Sequence, residues 1–386
     1  MSNGKGPGGI PRIAIALQGD STDPQDWSGV PAGISAGLAA AGAEPVAVDA
    51  RFPGAAKLAN VLRMSWADAS ANPAFAAAGG LKAKAGVRRA AVDGVVAIGS
   101  GYRLASHAPT VTYEDMTVAL AVDRGDLVYQ SLSERQVRRW EARQKRIYED
   151  SRACCVTSSW AGRSIRDDYG IAAERIHAVG VGRNVDPVER PERDWSLPHF
   201  LFVGIDWERK RGAAVVEAFI AVRERHPGAT LDLVGKHPPI DVEGVTGHGR
   251  LRLDSESGRR AYGELIDGAT CFLMPSTYEP FGIAYIDAGA AGVPSIGTTV
   301  GGAPDAVGRG GIVVDPDDED ALLDAMLELA IPATAQRLGE LARAHSALFT
   351  WQAVGERLLR ALGPPGIDLD ELSPFLDAVP AAGKAS

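Results

Sequence analysis

Pro275-Ser276-Thr277-Tyr278-Glu279-Pro280-Phe281-Gly282, running on through Ile283–Ala291 to Gly292-Val293-Pro294, is the stretch that decides how this chain is read. The apolar run Cys271–Met274 ends just before it, as a buried strand would. Pro280 suits the first position of a helix, and Gly292 with a proline soon after suits its stop. The spacing therefore predicts a strand, a short loop and a helix from Pro280 to Ala291. Open parallel sheets bind ligands at the carboxyl ends of their strands, where such a helix presents unsatisfied N–H groups and the positive end of its dipole. Phe281, Gly282 and Ile283 would offer backbone donors to an anion. Glu279 precedes the helix and Asp287 lies two turns in, so the two carboxylates would reach different parts of one elongated ligand, a phosphate flanked by hydroxyl-rich groups. The plainer alternative makes Glu279 an N-terminal charge and Asp287 a solvated helix residue.

Working outward, short apolar runs alternate with longer stretches of helical period, the mark of βαβ units and a parallel sheet. The pattern occurs twice. Strands are predicted at Arg12–Leu17, Pro45–Asp49, Gly94–Ile98, Thr110–Tyr113, Ala153–Thr157 and Ile176–Val179, with helices at Pro31–Ala41, Glu134–Asp150 and Trp160–Tyr169. Ala55–Ala90 is Ala-rich and poorly patterned. After Gly180-Val181-Gly182-Arg183-Asn184 the pattern restarts, with strands at His199–Val203, Thr230–Val234, Cys271–Met274, Ser295–Ile296 and Ile312–Val314. Helices fall between them at Gly212–Arg225, Glu256–Asp267, Pro280–Ala291 and Glu319–Leu329, and a last one follows at Trp351–Leu362. Two doubly wound α/β domains are expected, 1–183 and 184–351, with the segment 352–386 packing back on the first and a mobile tail at Ala381–Ser386.

Composition bounds the function. At 386 residues the chain holds two or three domains of roughly 150 residues each. Forty Lys and Arg against 49 Asp and Glu give a net charge of −9, so no overall positive field draws in nucleic acid or an anionic membrane. Any phosphate must be bound locally. Three cysteines, two of them adjacent, form no disulfide framework and fit a reducing cytosol, and the N-terminal MSNGKGPGGIPR is a polar tail rather than a signal peptide. No stretch reads as a membrane span. A cytoplasmic location is expected.

Three features together resemble the retaining GT-B glycosyltransferases of family 4: Pro275-Ser276 through Gly282, the acidic residue eight positions after Glu279, and Gly301-Gly302-Ala303-Pro304-Asp305. The resemblance covers most of the chain, strongly from Phe200 to Leu329. It implies two Rossmann-like domains facing across a cleft, with the nucleotide-sugar donor chiefly on the second and the acceptor chiefly on the first. It places Glu279 at the donor sugar's hydroxyls and the second acidic position at the nucleotide ribose. Here that position is Asp287, one methylene shorter than the usual Glu. Leu201-Phe202-Val203-Gly204-Ile205-Asp206-Trp207-Glu208-Arg209-Lys210-Arg211-Gly212 matches the strand and helix start that carry basic residues to the donor diphosphate, with Arg209 and Lys210 the candidates. Where the family often has Arg after the strand glycine, this chain has Ile205, and Arg211 could supply that contact. Taken alone, such a run is a solvated turn. Gly235 and Lys236, and His248 between Gly247 and Gly249, resemble loops around the nucleotide base.

In the first domain the resemblance puts Gly19 and Gly29 in a loop close to donor phosphate and acceptor; the alternative is a turn and a helix cap at Ser28. Pro109–Asp115 resembles the strand whose end usually bears a His near the donor sugar. Glu114 and Asp115 stand there instead, which implies contact with a sugar hydroxyl through a carboxylate; His107 reads as structural. Ser158 and Ser159 read as a helix cap, and Gly99-Ser100-Gly101 as a turn, since Leu104 stands where the third glycine of a dinucleotide loop belongs. The basic helix Arg135 to Arg146, with Trp140 and Ile147 on its other face, is interrupted by Glu134, Glu141 and Glu149 and reads as a solvated face, with peripheral membrane contact left open.

The resemblance implies transfer of a hexose-type sugar, with retention, from a UDP or GDP sugar to an acceptor hydroxyl. The leaving diphosphate takes the acceptor proton, and no general base is named. No metal or other cofactor is expected: Asp315, Asp317 and Asp318 look like a helix cap, and the basic residues can offset phosphate charge. Two rival readings stay open, a nucleotide-sugar epimerase of the same fold and a catalytically silent nucleotide-sugar-binding protein.

Overall fold

A computed structural model of the chain describes residues 10–22, 26–51, 66–185 and 193–363. Residues 1–9 and 364–386 of the terminal segments named above, and 55–65 of the poorly patterned stretch, lie outside them. Contacts divide the described residues into two units, one reaching to Val181 and resuming at Trp351, the other Gly182–Thr350.

The first unit is built on a parallel sheet of β1 (Arg12–Leu17), β2 (Glu44–Asp49), β3 (Gly94–Ile98), β4 (Thr110–Glu114), β5 (Ala153–Val156) and β6 (Ile176–Ala178), in the order β2-β1-β3-β4-β5-β6. The central strands are buried on both faces, which is why they read as continuous apolar runs. Chain direction across the sheet reverses between β1 and β3, so that is its switch point. The helix Pro73–Ala90 emerges from the stretch that carried no clear pattern. It buries Ala76, Gly79, Gly80, Ala83 and Val87, small residues whose contrast with their neighbours is too weak to show in a hydropathy reading. The smallness is required: a Cβ on Gly80 would run into the Arg103 carbonyl oxygen, and one on Gly79 would come within 2.7 Å of the Ala50 oxygen. The helix Trp351–Leu362 packs along Val30–Ala40, where Gly33 makes room for the Trp351 indole and Gly355 lies against the Gly37 carbonyl.

The second unit repeats the design with β7 (His199–Gly204), β8 (Thr230–Gly235), β9 (Val245–Gly249), β10 (Cys271–Leu273), β11 (Ser295–Thr298) and β12 (Gly311–Val314), all parallel, in the order β12-β11-β10-β7-β8-β9. This is the dinucleotide-fold order, and its switch point lies between β7 and β10. Phe200, Phe202, Leu231, Leu233, Leu273 and Ile296 face the helices Gly212–Arg225 and Glu319–Leu329 in a single core. β9 and the helix Pro332–Ser346 are elements that the sequence pattern did not show. The fold class expected from the sequence, α/β with two doubly wound domains of the GT-B kind, is the one observed. Among the described residues no helix is long and apolar enough to cross a membrane.

Candidate active site

At the second unit's switch point, the loops after β7 and β10 bring three of the predicted residues together. Glu279 is buried, and its Oε2 forms an ion pair with Lys210 Nζ, lies 3.5 Å from Arg209 Nη1, and accepts a hydrogen bond from Ser276 Oγ at 3.2 Å. Arg209 also donates to the Tyr278 carbonyl at 2.9 Å, and its guanidinium sits 5.2 Å from the Tyr278 ring centre. Lys210 Nζ lies 3.0 Å from Met274 Sδ. Burial pushes the Glu279 carboxyl up, but Lys210 and Arg209 outweigh it and hold the group below the usual carboxylate range. Burial, helped by Arg209, draws Lys210 below its ordinary value against the pull of Glu279.

Local backbone explains why these residues stand where they do. Glu279 N–H donates to the Val300 carbonyl at 3.1 Å, and Gly302 N–H donates to the Glu279 carbonyl at 2.8 Å. Gly301 between them has φ of 106°, and a Cβ there would collide with the Glu279 carbonyl oxygen. The Gly301-Gly302 turn thus clamps Glu279. On the other side, Thr277 N–H donates to the Arg209 carbonyl at 2.8 Å, tying the two loops to each other. Gly204 and Gly235 are register partners at the ends of β7 and β8, and the bare Gly204 lets the Lys210 stem pass across the strand end. Lys236 beside them is exposed. Arg211 caps the helix Gly212–Arg225 with φ of 57°, and its Nη1 is buried with no partner among the described residues.

Several predicted roles need correction. The helix expected from Pro280 begins at Ile283, with Gly282 as its cap at φ of 89°. Phe281 lies before it, buried against Phe349 with ring centres 5.6 Å apart, so its side chain belongs to the core; Gly282 and Ile283 remain at the helix start and partly exposed. Asp287 is buried rather than solvated. It is 4% exposed, its Oδ1 accepts from the backbone N–H groups of Asn184 at 2.8 Å and Val185 at 3.2 Å, and Tyr262 bonds to it as well. Burial lifts its pKa to about 7 although those donors and Arg183 oppose the shift. The carboxylate anchors the segment entering the second unit. His248 stands on edge strand β9, and its Nε2 lies 2.7 Å from Asp232 Oδ1, while His199 Nε2 lies 2.5 Å from Asp232 Oδ2. It is exposed at the sheet edge and paired with a carboxylate of its own sheet.

In the first unit, Glu114 ends β4, 3% exposed, rather than standing open at a cleft edge. Its Oε2 accepts from Tyr148 OH at 2.5 Å and Gln144 Nε2 at 2.8 Å, both on the helix Glu134–Asp150. Burial raises its pKa to about 8, with Asp115 adding to the shift and the two hydrogen bonds opposing it. Glu114 and Asp115 line a cavity of about 60 Å³ together with Gln18, Trp27, Gly99 and Tyr129, among others. The cavity lies at the ends of β1, β3 and β4, the first sheet's switch point. Gly19 lies two residues past the end of β1, and Gly29, with φ of 83°, caps the helix Val30–Ala40 in place of Ser28. Ser276, Gln144 and Tyr148 are contacts that sequence reasoning missed. The last two share a helix face at spacing i, i+4, but nothing in the pattern says which carboxylate they meet. Among the described residues no group of three or more His, Cys, Asp or Glu is arranged to hold a metal.

Residues 197–331, which contain this cluster, match the family model of glycosyl transferases group 1. The chain is 34% identical over 164 residues to a glycogen synthase of Mycobacterium tuberculosis, covering 40% of this chain and 39% of that protein. The curated relatives it resembles are matched over part of their length only, as in that case. Among solved structures, sucrose-phosphate synthase from Thermosynechococcus elongatus is similar with a TM-score of 0.60 at 20% identity, over 91% of this chain and 98% of that one. Anabaena HepE in complex with UDP and glucose is similar with a TM-score of 0.60 at 15% identity, over 91% of this chain and 99% of that one. These likenesses show the fold.

Proposed function

We propose that this chain is a glycosyltransferase that moves a hexose-type sugar, with retention, from a nucleotide diphosphate sugar to an acceptor hydroxyl. The observation that carries the reading is the meeting of Glu279, Lys210 and Arg209 at the second sheet's switch point, inside the segment that matches glycosyl transferases group 1. Two cations at a strand end, followed by the first turn of the helix Ile283–Ala290, suit a diphosphate whose charge grows as the bond to the sugar breaks. Arg209, the more exposed of the two, grips phosphate oxygens, and Arg211 is a further cation beside it. Glu279 holds Lys210 and Arg209 in place and faces the sugar hydroxyls. The departing diphosphate oxygen takes the proton of the attacking hydroxyl as the new glycosidic bond forms. The donor belongs to the second unit and the acceptor to the first. UDP is the favoured nucleotide, with GDP the alternative.

Two measurements test this. Lys210→Ala should lower kcat roughly a hundredfold, the usual effect of removing one contact that favours the transition state, with a smaller change in donor affinity. An unchanged kcat for both Lys210→Ala and Arg209→Ala would put the phosphate elsewhere. Since these side chains can offset the diphosphate charge, turnover should persist in EDTA; loss that Mg²⁺ or Mn²⁺ restores would reject metal independence.

A further inference from the structure

The cavity at the first sheet's switch point has a lining suited to one kind of ligand. Glu114 is 97% buried by its 3% exposure, and its Oε1 has no hydrogen-bond partner among the described residues while Oε2 is doubly engaged. Asp115 lines the cavity beside it, the indole of Trp27 and the ring of Tyr129 form aromatic walls, and no lining side chain among the described residues is cationic. Trp27 is held there by backbone at φ of 48°, and Gly99 at φ of 77° leaves the space that the indole edge occupies. A volume of about 60 Å³ admits several water-sized groups, one edge of a ligand rather than all of it.

We propose that this cavity receives the ammonium group of an amine-bearing acceptor, an amino sugar or amino polyol, between Glu114, Asp115 and the aromatic walls. The proposal rests on the reading of the first unit as the acceptor side. An ammonium brings donors to the vacant Oε1, where a second carboxylate would meet only repulsion, and it is attracted to aromatic faces. A phosphorylated acceptor would find two carboxyl groups and no cation. A neutral hydroxyl could satisfy Oε1, but it would leave the combined pull of two acidic groups unused. Because burial keeps the Glu114 carboxyl protonated near neutral pH, entry of the cation is coupled to loss of that proton to solvent: one positive charge enters and one leaves. The titratable groups that act on Glu114 or feel its charge are Asp115, Tyr102, Tyr129, Tyr148, Tyr169 and Cys154. The tyrosines and the cysteine are all pushed above their ordinary values, so Glu114 is the group set to exchange a proton near pH 7.

The test uses the full chain with glucosamine, glucose and glucose 6-phosphate as matched probes, followed by calorimetry at pH 7 in two buffers of different ionisation enthalpy. Glucosamine should bind at least about tenfold more tightly than the other two and release protons, the scale expected for a hydrogen bond to a charged group. Glu114→Gln, which keeps the shape, should abolish both the preference and the proton release while leaving UDP binding unchanged. Asp115→Asn should reduce the preference and keep the release, which guards against a fold defect in the first variant. Equal affinities, a preference for glucose 6-phosphate, or proton release that survives Glu114→Gln would overturn the proposal. Nucleotide release from UDP-glucose and GDP-mannose, assayed separately, tells the two readings apart. Turnover with uncharged or phosphorylated sugars alone rejects the amine site and keeps the transferase; amine binding without turnover of any donor does the reverse.

Discussion

Glu279 shares one oxygen among two cations and a serine, so its charge neutralises Lys210 and Arg209, and in the proposed reaction it would also orient a sugar. Glu279→Gln should therefore leave nucleotide diphosphate affinity equal or higher, since the anion then meets less neutralised cations, while transfer falls by about a hundredfold, as small misplacements of a reacting centre do. Calorimetry with UDP and a transfer assay on the same variant check both halves. Asp287 behaves differently, because its partners are two backbone N–H groups and the Tyr262 hydroxyl. Asp287→Ala leaves two half-buried backbone donors without that partner and should cost the second unit on the order of 1–3 kcal/mol in all, read as a lower unfolding temperature. Glu114 gives a pH signature. Its folded pKa is raised from the ordinary value of 4.5 to about 8, so the native state holds the proton more tightly than the unfolded chain and stability falls as pH rises between those values. Glu114→Gln lacks that slope, and its unfolding temperature relative to the parent should climb across the window and level off above it.

At the scale of elements, small residues govern close approaches. Alanine is the better helix former by about 1 kcal/mol, yet Gly80→Ala should destabilise the first unit. The added Cβ would meet the Arg103 backbone oxygen, and such overpacking costs typically 1–3 kcal/mol. A raised unfolding temperature would show that the helix can shift. The same smallness limited what could be read in advance. Most strands and the long amphipathic helices announce themselves, with Glu134–Asp150, Gly212–Arg225 and Trp351–Leu362 falling where the period puts them. Pro73–Ala90 does not, since alanine and glycine give a helix almost no hydropathy contrast. Exposed Thr246, Gly247 and His248 hide β9 for the opposite reason. The Glu279 loop was legible because proline, glycine and charge mark its turns. The burial of Asp287 was not, since its partners at Asn184 and Val185 lie about a hundred residues upstream.

For the whole molecule, the notable feature is that the first unit is drawn from both sides of the second. The helix Trp351–Leu362 covers Val30–Ala40 and donates from Arg357 to the Val179 carbonyl at 2.9 Å. A chain stopped after Thr350 should keep a folded second unit that still binds UDP, while the first unit loses its cooperative transition and exposes apolar surface to a hydrophobic dye. Trp351→Ala should show a milder form, about 3–5 kcal/mol for loss of a large packed aromatic. Order of synthesis follows from the same arrangement. A ribosome delivers every residue of the second unit before it delivers the helix that completes the first, so the amino-terminal half must wait, partly formed, while the later half finishes. Domains commonly fold from the amino terminus as they emerge. Here the sequence of events is inverted, and a nascent-chain protease assay should find 182–350 protected while the residues preceding it are still cleaved.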